Sequence, residues 1–194
     1  MTHIDLSTMP NLQEINRKLI AGFHLSENDL PLWQELDAQE ASYTALFQSL
    51  GHKLIRDSRG FFYIYSDDST VTMGKTSRSF ALTIYCLVEF WANKGMDPTH
   101  ALFDKDIDLE LLQHLVQEHF HLFEQLDIES GSDLRKEVFS RLIRFGLAKE
   151  YGAGYRLLSP VYRYLDALSD VDTESLTQET SDDDTPEGEL NHDE

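Results

Sequence analysis

The chain has 194 residues, of which 41% are hydrophobic, and a formal net charge of −19. This length is enough for one or two small domains with buried cores. The N-terminal residues lack the basic start and apolar stretch of a signal peptide, and the longest apolar run, around residues 80–91, is too short to span a bilayer. These features predict a cytoplasmic protein with no membrane association. The lone cysteine, Cys86, lies in that run and is expected as a buried thiol.

The negative charge is concentrated at the C-terminal end of the chain. Residues 170–194 contain 11 Asp and Glu and no Lys or Arg, so the rest of the chain has 24 acidic residues against 16 basic ones. Such a composition, with few large apolar residues, predicts a disordered acidic tail over residues 169–194. The remaining chain is mildly acidic, so a local basic face is compatible with it.

A first winged-helix domain is predicted over residues 11–75, after a short N-terminal segment, residues 1–10. Three helical stretches come first, and Gly51 then suits a left-handed C-cap. The period changes to that of strands, around a turn that Gly60 closes. The predicted elements are helices over Asn11–Ile20, from near Ser26 and over Gln39–Leu50, and strands over Lys53–Arg56 and Phe61–Tyr65.

A second winged-helix domain is predicted over residues 76–168. Its first helix, Ser79–Asn93, is apolar almost all round, which predicts burial between domains or under a partner. The other predicted elements are a helix with an apolar face of Leu109, Leu112, Val116, Phe120 and Phe123, a helix from an Asp133 cap to Phe145, strands over Leu147–Glu150 and Tyr155–Leu158, and a last helix over Val161–Leu168 that Pro160 opens.

The two predicted hairpins follow the same pattern of glycines. Gly51 and Gly60 flank the first strand of one hairpin, and Gly146 and Gly154 flank the first strand of the other, in both cases before an aromatic strand. The repeat favours a mainly α fold with small β-hairpins, an α+β class, built as tandem winged-helix domains. The alternative is one mixed α+β domain with two unrelated hairpins.

The sequence contains partial matches to enzyme motifs, but their residues do not have the spacing that those motifs require. Gly74-Lys75-Thr76 lacks the first glycine of a phosphate-binding loop, because that position is Ser69. His114 and His121 would share a helix face about 10 Å apart, which is too far for one zinc ion. No Ser or Cys nucleophile lies in a recognisable setting. The sequence therefore predicts no catalytic activity, no metal and no cofactor.

Basic residues are concentrated in the second predicted domain. Plotted at 100° per residue, the helix that ends near Phe145 has an apolar half and a polar half with several cations. In winged helices the third helix commonly enters the DNA groove, and Lys and Arg contact phosphates; the alternative is an ordinary solvated helix face. The candidate DNA-binding residues are Lys75, Arg78, Lys136, Arg141, Arg144, Lys149, Arg156 and Arg163.

Apolar residues are more numerous than two small domains need to bury. Such a surplus is typical of a protein-docking surface, and winged helices bind proteins as well as DNA. The candidate protein-interface residues are Phe80, Ile84, Tyr85, Phe90, Trp91, Phe120 and Phe123.

Four short stretches resemble the MukE/MksE family of small subunits in bacterial condensin-like SMC complexes, and MksE is the more similar in length. They are residues 22–29 (GFHLSEND), 59–63 (RGFFY), 145–148 (FGLA) and 155–160 (YRLLSP). The resemblance covers roughly residues 10–168, and the acidic tail lies outside it.

The resemblance implies tandem winged helices, a homodimer, and binding to a kleisin subunit (MukF- or MksF-like). The kleisin bridges the heads of an SMC ATPase (MukB- or MksB-like), which would supply ATP hydrolysis. Such complexes hold DNA and act at the nucleoid in chromosome condensation and segregation, or in plasmid restriction. Two other classes stay open from the sequence, namely a stand-alone winged-helix transcription regulator and, less favoured by the motifs, a hydrolase or nucleotide-dependent enzyme.

Overall fold

The structure is a computed structural model that describes residues 5–65 and 74–168. Within these ranges the chain is mainly helical with small antiparallel sheets, which confirms the predicted fold class. The predicted acidic tail, residues 169–194, lies outside the described residues, as do residues 1–4 and the segment with Ser69. Among the described helices, none is long and apolar enough to cross a membrane.

The first half of the chain, residues 5–65, forms three helices and a three-stranded sheet. Its elements are α1 (Leu12–Ile20), β1 (Leu25–Ser26), α2 (Leu30–Ala38), α3 (Glu40–Ser49), β2 (Lys53–Asp57) and β3 (Phe61–Tyr65). The strands are antiparallel in the order β1–β3–β2. Gly51 and Gly60 have φ angles of 81° and 85°, which confirms the left-handed positions predicted after α3 and in the turn.

Two details of this half differ from the prediction. Ser26 caps a short 3-10 turn, Glu27–Asp29, and α2 begins only at Leu30. The strand β1 was not predicted, because two residues carry no periodic signal and the strand exists only through its pairing with Phe61 and Phe62.

The second half begins with a long helix and ends with a two-stranded hairpin. Its elements are α4 (Lys75–Asn93), α5 (Pro98–Asp104), α6 (Leu109–Glu118), α7 (Phe120–Glu124), α8 (Gly131–Leu134), α9 (Ser140–Arg144), β4 (Ala148–Tyr151), β5 (Gly154–Leu157) and α10 (residues 162–168). A π-helical segment, Arg135–Phe139, joins α8 to α9, so residues 131–144 form one continuous helix. This composite is called the 131–144 helix below.

The prediction that one helix carries both Phe120 and Phe123 on the same face is wrong, because that helix ends at Glu118. The chain leaves helical geometry at His119, where φ is −113° and ψ is 33°, and restarts as α7. As a result Phe123 is fully buried, whereas Phe120 is 41% exposed. The cap of the 131–144 helix also differs from the prediction, because it is Ser130 and not Asp133.

The second hairpin gains a third, short partner. Ile107 exchanges two backbone hydrogen bonds with Tyr155, so it lies on the side of β5 away from β4. Gly154 permits this approach, since a Cβ there would lie 2.4 Å from the carbonyl oxygen of Ile107. Gly152, with φ of 57°, supplies the turn. The order Ile107–β5–β4 thus repeats the order β1–β3–β2 of the first half.

Two separate hydrophobic cores lie under the two sheets. The first is drawn from residues 9–64 and centres on Tyr43, Phe47 and Phe62. The second is drawn from residues 80–168 and centres on residues of α4, α6 and the 131–144 helix, among them Ile84 and Phe139. Burying large apolar side chains of this kind stabilises each core by roughly 1.5–3 kcal/mol per side chain.

Polar contacts fasten the two halves to each other. The backbone N–H of His24 donates to the carbonyl oxygen of Phe145 at 2.9 Å, and the guanidinium of Arg163 lies 2.7 Å from the His24 ring. Gly146 is required at this joint, because a Cβ there would lie 2.4 Å from the carbonyl oxygen of His24. Tyr63 also stacks on the His24 ring, with centroids 5.6 Å apart. Three of the four stretches that resemble MukE and MksE, namely residues 22–29, 59–63 and 145–148, therefore contribute to this joint.

Candidate nucleic-acid and protein interfaces

The 131–144 helix is held by a cap at its start and by close packing on α6. Ser130 caps the helix, because its hydroxyl accepts a hydrogen bond from the backbone N–H of Asp133 at 3.1 Å and donates to the Asp133 carboxylate at 2.7 Å. Gly131 has no space for a side chain, since a Cβ would lie 2.6 Å from the backbone nitrogen of Gln113 in α6. The helix buries Leu134, Val138, Phe139 and Leu142 in the second core.

The opposite face of this helix points to solvent and carries positive charge. Lys136, Ser140 and Arg144 are exposed on it, four residues apart. The Lys136 side chain is 81% exposed, and its ammonium lies 3.7 Å from Glu137. The Arg144 guanidinium lies 5.3 Å from the ring centroid of Phe145, and no carboxylate in the described part of the chain pairs with it. This face is called the basic stripe below, and it is defined by Lys136, Ser140 and Arg144.

Four of the eight predicted DNA-binding residues are held by a carboxylate or by the His24 ring at 3.1 Å or less. A phosphate would have to displace these partners, so the free-energy gain from binding it falls. The pairs are Arg141 with Glu137 at 3.1 Å, Arg156 with Asp106 at 2.5 Å, Lys75 with Asp127, and Arg163 with His24.

Two further cations outside the stripe are exposed and have no carboxylate partner among the described residues. Arg78 is exposed in the first turn of α4. Lys149, on the exposed strand β4, donates to the amide oxygen of Asn28 at 2.9 Å, which is a neutral partner. The structure therefore leaves Lys136, Arg144, Lys149 and Arg78 as the cations best able to contact phosphate.

The predicted protein-interface residues separate into buried and exposed groups. Phe80, Ile84 and Phe123 are 2%, 0% and 0% exposed, so their assignment to an interface is wrong: they form the chain's own second core. Tyr85 and Phe120 are 47% and 41% exposed, and Phe90 and Trp91 are half-buried at the end of α4. Helical periodicity showed that α4 is apolar on most sides but could not show which side meets the core.

A polar cleft of about 470 Å³ opens between the two halves. Its cations, Arg59, Lys149 and Arg156, come from the two hairpins, and two of them are committed to carboxylates of the chain. Arg59 binds Asp166 at 2.7 Å, and this pairing raises the pKa of Arg59 further above its ordinary value. The cleft thus acts mainly as part of the contact between the halves.

Cys86 and the histidines around α6 lie in separate environments. Cys86 is fully buried, and burial, followed by the charges of Glu89 and Glu118, raises the pKa of its thiol to about 12. The His119 ring lies 3.6 Å from Glu89, and His114 lies 3.3 Å from Glu118, so the two rings have different partners. Within residues 5–65 and 74–168, no group of three or more His, Cys, Asp or Glu could hold a metal ion.

Comparison with known protein families identifies the chain. Residues 10–169 match the family described as condensin complex protein MksE, whereas no curated protein matches the chain significantly. The matched range contains both hydrophobic cores apart from Met9, the joint between the halves and the basic stripe. It leaves out nearly all of the acidic tail. Because the match covers most of its length, the chain belongs to the MksE family of condensin complex proteins.

Proposed function

We propose that this protein is a non-catalytic subunit of a condensin-type SMC complex, where it binds the kleisin and helps to hold DNA. The family match over residues 10–169 is the observation that carries this proposal. The complex acts in the cytoplasm at the nucleoid, in chromosome condensation and segregation or in plasmid restriction. ATP hydrolysis belongs to the SMC partner, and the chain reaches that partner through the kleisin.

Two winged-helix domains, residues 11–75 and 76–168, form the subunit in this proposal. The recurrence of one strand order supports it, because the order Ile107–β5–β4 matches the order β1–β3–β2. In both halves a helix directly precedes the hairpin. The separation of the two hydrophobic cores supports it as well. In this arrangement α3 and the 131–144 helix lie directly before the two hairpins, which is the place of the third helix in a winged-helix domain.

The second domain supplies the DNA contact through its basic stripe. Third helices of winged-helix domains commonly face DNA, and the stripe is the exposed side of such a helix with two cations that no carboxylate neutralises tightly. Lys149 on β4 extends the same charge onto the wing. The overall charge of −19 opposes strong binding by the isolated chain, so DNA is held within the assembled complex.

The kleisin contact is assigned to the exposed side of α4 and the start of α7. Tyr85 and Phe120 are large, exposed side chains on these two helices. Glu89 of α4 lies 3.6 Å from the ring of His119, the residue just before α7, so the two helices are close to each other here. Exposed aromatic side chains are typical anchors of protein interfaces. A second copy of the chain completes the proposed assembly as a homodimer.

Co-purification of the subunit with its kleisin tests the proposal. The chain and the kleisin of the same complex are co-expressed, and the kleisin alone carries the affinity tag. We expect stable co-purification, and we expect the Tyr85→Ala/Phe120→Ala variant to reduce the recovered subunit at least tenfold. The matched control is Leu30→Ala/Leu50→Ala, which removes two apolar side chains of the first half that are 54% and 58% exposed. Its recovery should equal that of the wild type.

Three outcomes would contradict the proposal in different ways. Absence of co-purification over a range of salt concentrations rejects kleisin binding. Equal recovery of both double variants rejects the surface but keeps the partner. High-affinity binding of the isolated chain to one palindromic DNA site would instead identify a stand-alone transcription regulator.

A further inference from the structure

A groove of about 350 Å³ lies between the C-terminal end of α4 and the start of α6. Two aromatic side chains form its base: Phe90 and Trp91 pack edge to face with ring centroids 4.8 Å apart. His114 closes one side against Phe90, with centroids 5.4 Å apart. The groove lies outside the basic stripe and outside the surface of Tyr85 and Phe120.

Carboxylates form the rim of this groove. Asp106, Asp108 and Glu110 line it, against one lysine, Lys94. Asp108 caps α6 by accepting from the backbone N–H of Leu111 at 2.8 Å, and Asp106 binds Arg156, which leaves Glu110 with no ion pair in the described part of the chain. The groove is therefore both aromatic and anionic.

The end of α4 adds to this preference for a cation. The last turn of this 19-residue helix has no basic residue, and Lys94, which caps the helix, is the cation nearest to the negative end of its dipole. The ammonium of Lys94, just beyond the helix, lies 5.3 Å from the ring centroid of Phe90. That contact shows that a cation can lie against this ring. Lys94, which has no carboxylate partner among the described residues, would compete with a partner's cation for it.

We propose that this groove binds an arginine or lysine side chain of a partner protein, presented beside an apolar residue. The aromatic base provides cation–π contact, the Glu110 carboxylate can accept a charge-assisted hydrogen bond, and the neighbouring apolar residue covers the remaining aromatic surface. The carboxylates repel phosphate, so nucleic acid is excluded. The proposal requires neither the kleisin contact nor the DNA contact described above.

An indole hydrogen atom provides a direct reporter for the occupant. The chain has two tryptophans. The Trp33 N–H donates to the carbonyl oxygen of Gly60 at 2.9 Å in the first half, whereas the buried Trp91 N–H has no acceptor in the described residues. In ¹⁵N-labelled protein the Trp91 indole signal should report on the groove, and the Trp33 signal serves as an internal control.

The probe is the blocked peptide acetyl-Leu-Arg-Leu-amide, titrated into the full chain at constant salt. We expect a saturable shift of the Trp91 indole signal, with a dissociation constant on the order of millimolar, and no shift of the Trp33 signal. The same peptide with citrulline has the same shape without the charge, and it should bind roughly fivefold more weakly or worse. The Trp91→Phe variant assigns the signal.

Two single variants should move the affinity in opposite directions. Glu110→Gln removes the unpaired carboxylate and should weaken binding of the arginine peptide, whereas Lys94→Gln removes the competing cation and should strengthen it. An unmoved Trp91 signal, equal shifts with the citrulline peptide, or a Trp91 shift caused by short duplex DNA would each overturn the proposal. Failure of kleisin binding or DNA binding would leave these expected results unchanged.

Discussion

His24 donates two hydrogen bonds to one oxygen atom, the backbone carbonyl of Phe145 in the other half of the chain. The backbone N–H lies 2.9 Å from that oxygen, and the ring Nδ1 lies 3.1 Å from it. Because a carbonyl oxygen only accepts, Nδ1 must carry a proton. The ring Nε2 is then an acceptor for the guanidinium of Arg163 at 2.7 Å. The neutral form of the imidazole is thus built into the contact between the halves.

This arrangement predicts a pH dependence of stability. Burial, and then the charge of Arg163, lower the pKa of His24 from its ordinary value near 6.5 to about 4. The unfolded chain therefore binds a proton at a higher pH than the folded chain does. The stability is complete above pH 6.5 and falls as the pH decreases towards 4, by on the order of 3 kcal/mol in total.

Urea unfolding at pH 7 and pH 5 measures this loss. Between these values the wild type should lose about 2 kcal/mol more than the His24→Gln variant, which retains an amide donor and an acceptor but does not titrate. The other seven histidines are common to both proteins, so the difference isolates His24. Parallel stability profiles would show that His24 is not held neutral by this contact.

A second prediction concerns the close approach of the two backbones at Gly146. Its φ angle is 72°, and an added Cβ would lie 2.4 Å from the carbonyl oxygen of His24. Gly51 provides the matched control, with φ of 81° and no atom within 4 Å of an added Cβ. Gly51→Ala should cost about 1 kcal/mol through backbone strain alone, whereas Gly146→Ala should cost roughly 1–3 kcal/mol more. Denaturant midpoints measure both, and equal losses would contradict a tight joint.

The thiol of Cys86 gives a third prediction. It is fully buried and its pKa is raised to about 12, so the reactive thiolate is scarce at neutral pH. At pH 7 a thiol with such a pKa is ionised in only about one molecule in 10⁵. The folded chain should therefore react with a disulfide reagent such as dithiobisnitrobenzoate at least a hundredfold more slowly than the chain in urea. Rapid reaction of one thiol in the folded protein would contradict the placement of α4.

The sequence predicted the elements that depend only on neighbouring residues, such as glycine turns and the strands of a hairpin. Gly51 and Gly60 occupy left-handed positions as predicted, and β2 and β3 follow from alternation and aromatic content between them. By contrast, β1 and the pairing of Ile107 with Tyr155 depend on partners far along the chain. Such long-range pairings leave no periodic pattern in the sequence.

The candidate sites show the same division. The pairing of Arg141 with Glu137 is four residues apart on one helix, so the spacing could have revealed it. The pairing of Arg156 with Asp106 joins residues that are 50 positions apart, and no spacing rule could find it. A helical-wheel projection at 100° per residue also assumes an unbroken α-helix. That assumption fails at the break at His119 and in the π-helical segment Arg135–Phe139.

The fourth prediction separates the basic stripe from the general charge of the protein. Lys136→Glu/Arg144→Glu reverses its two cations, which are exposed and take no part in the second core. Arg17→Glu/Lys105→Glu is the control, because it makes the same change in net charge at exposed positions elsewhere.

Binding of the assembled complex to duplex DNA is measured at several salt concentrations. If the stripe contacts phosphates, its variant should weaken binding at low salt by about tenfold or more and reduce the slope of log affinity against log salt by about 2, since roughly one counterion is released per phosphate contact. The control variant should keep the wild-type slope. Equal slopes in all three proteins would remove the 131–144 helix from the DNA interface, and melting temperatures within about 2 °C of the wild type would exclude unfolding as the cause of any loss.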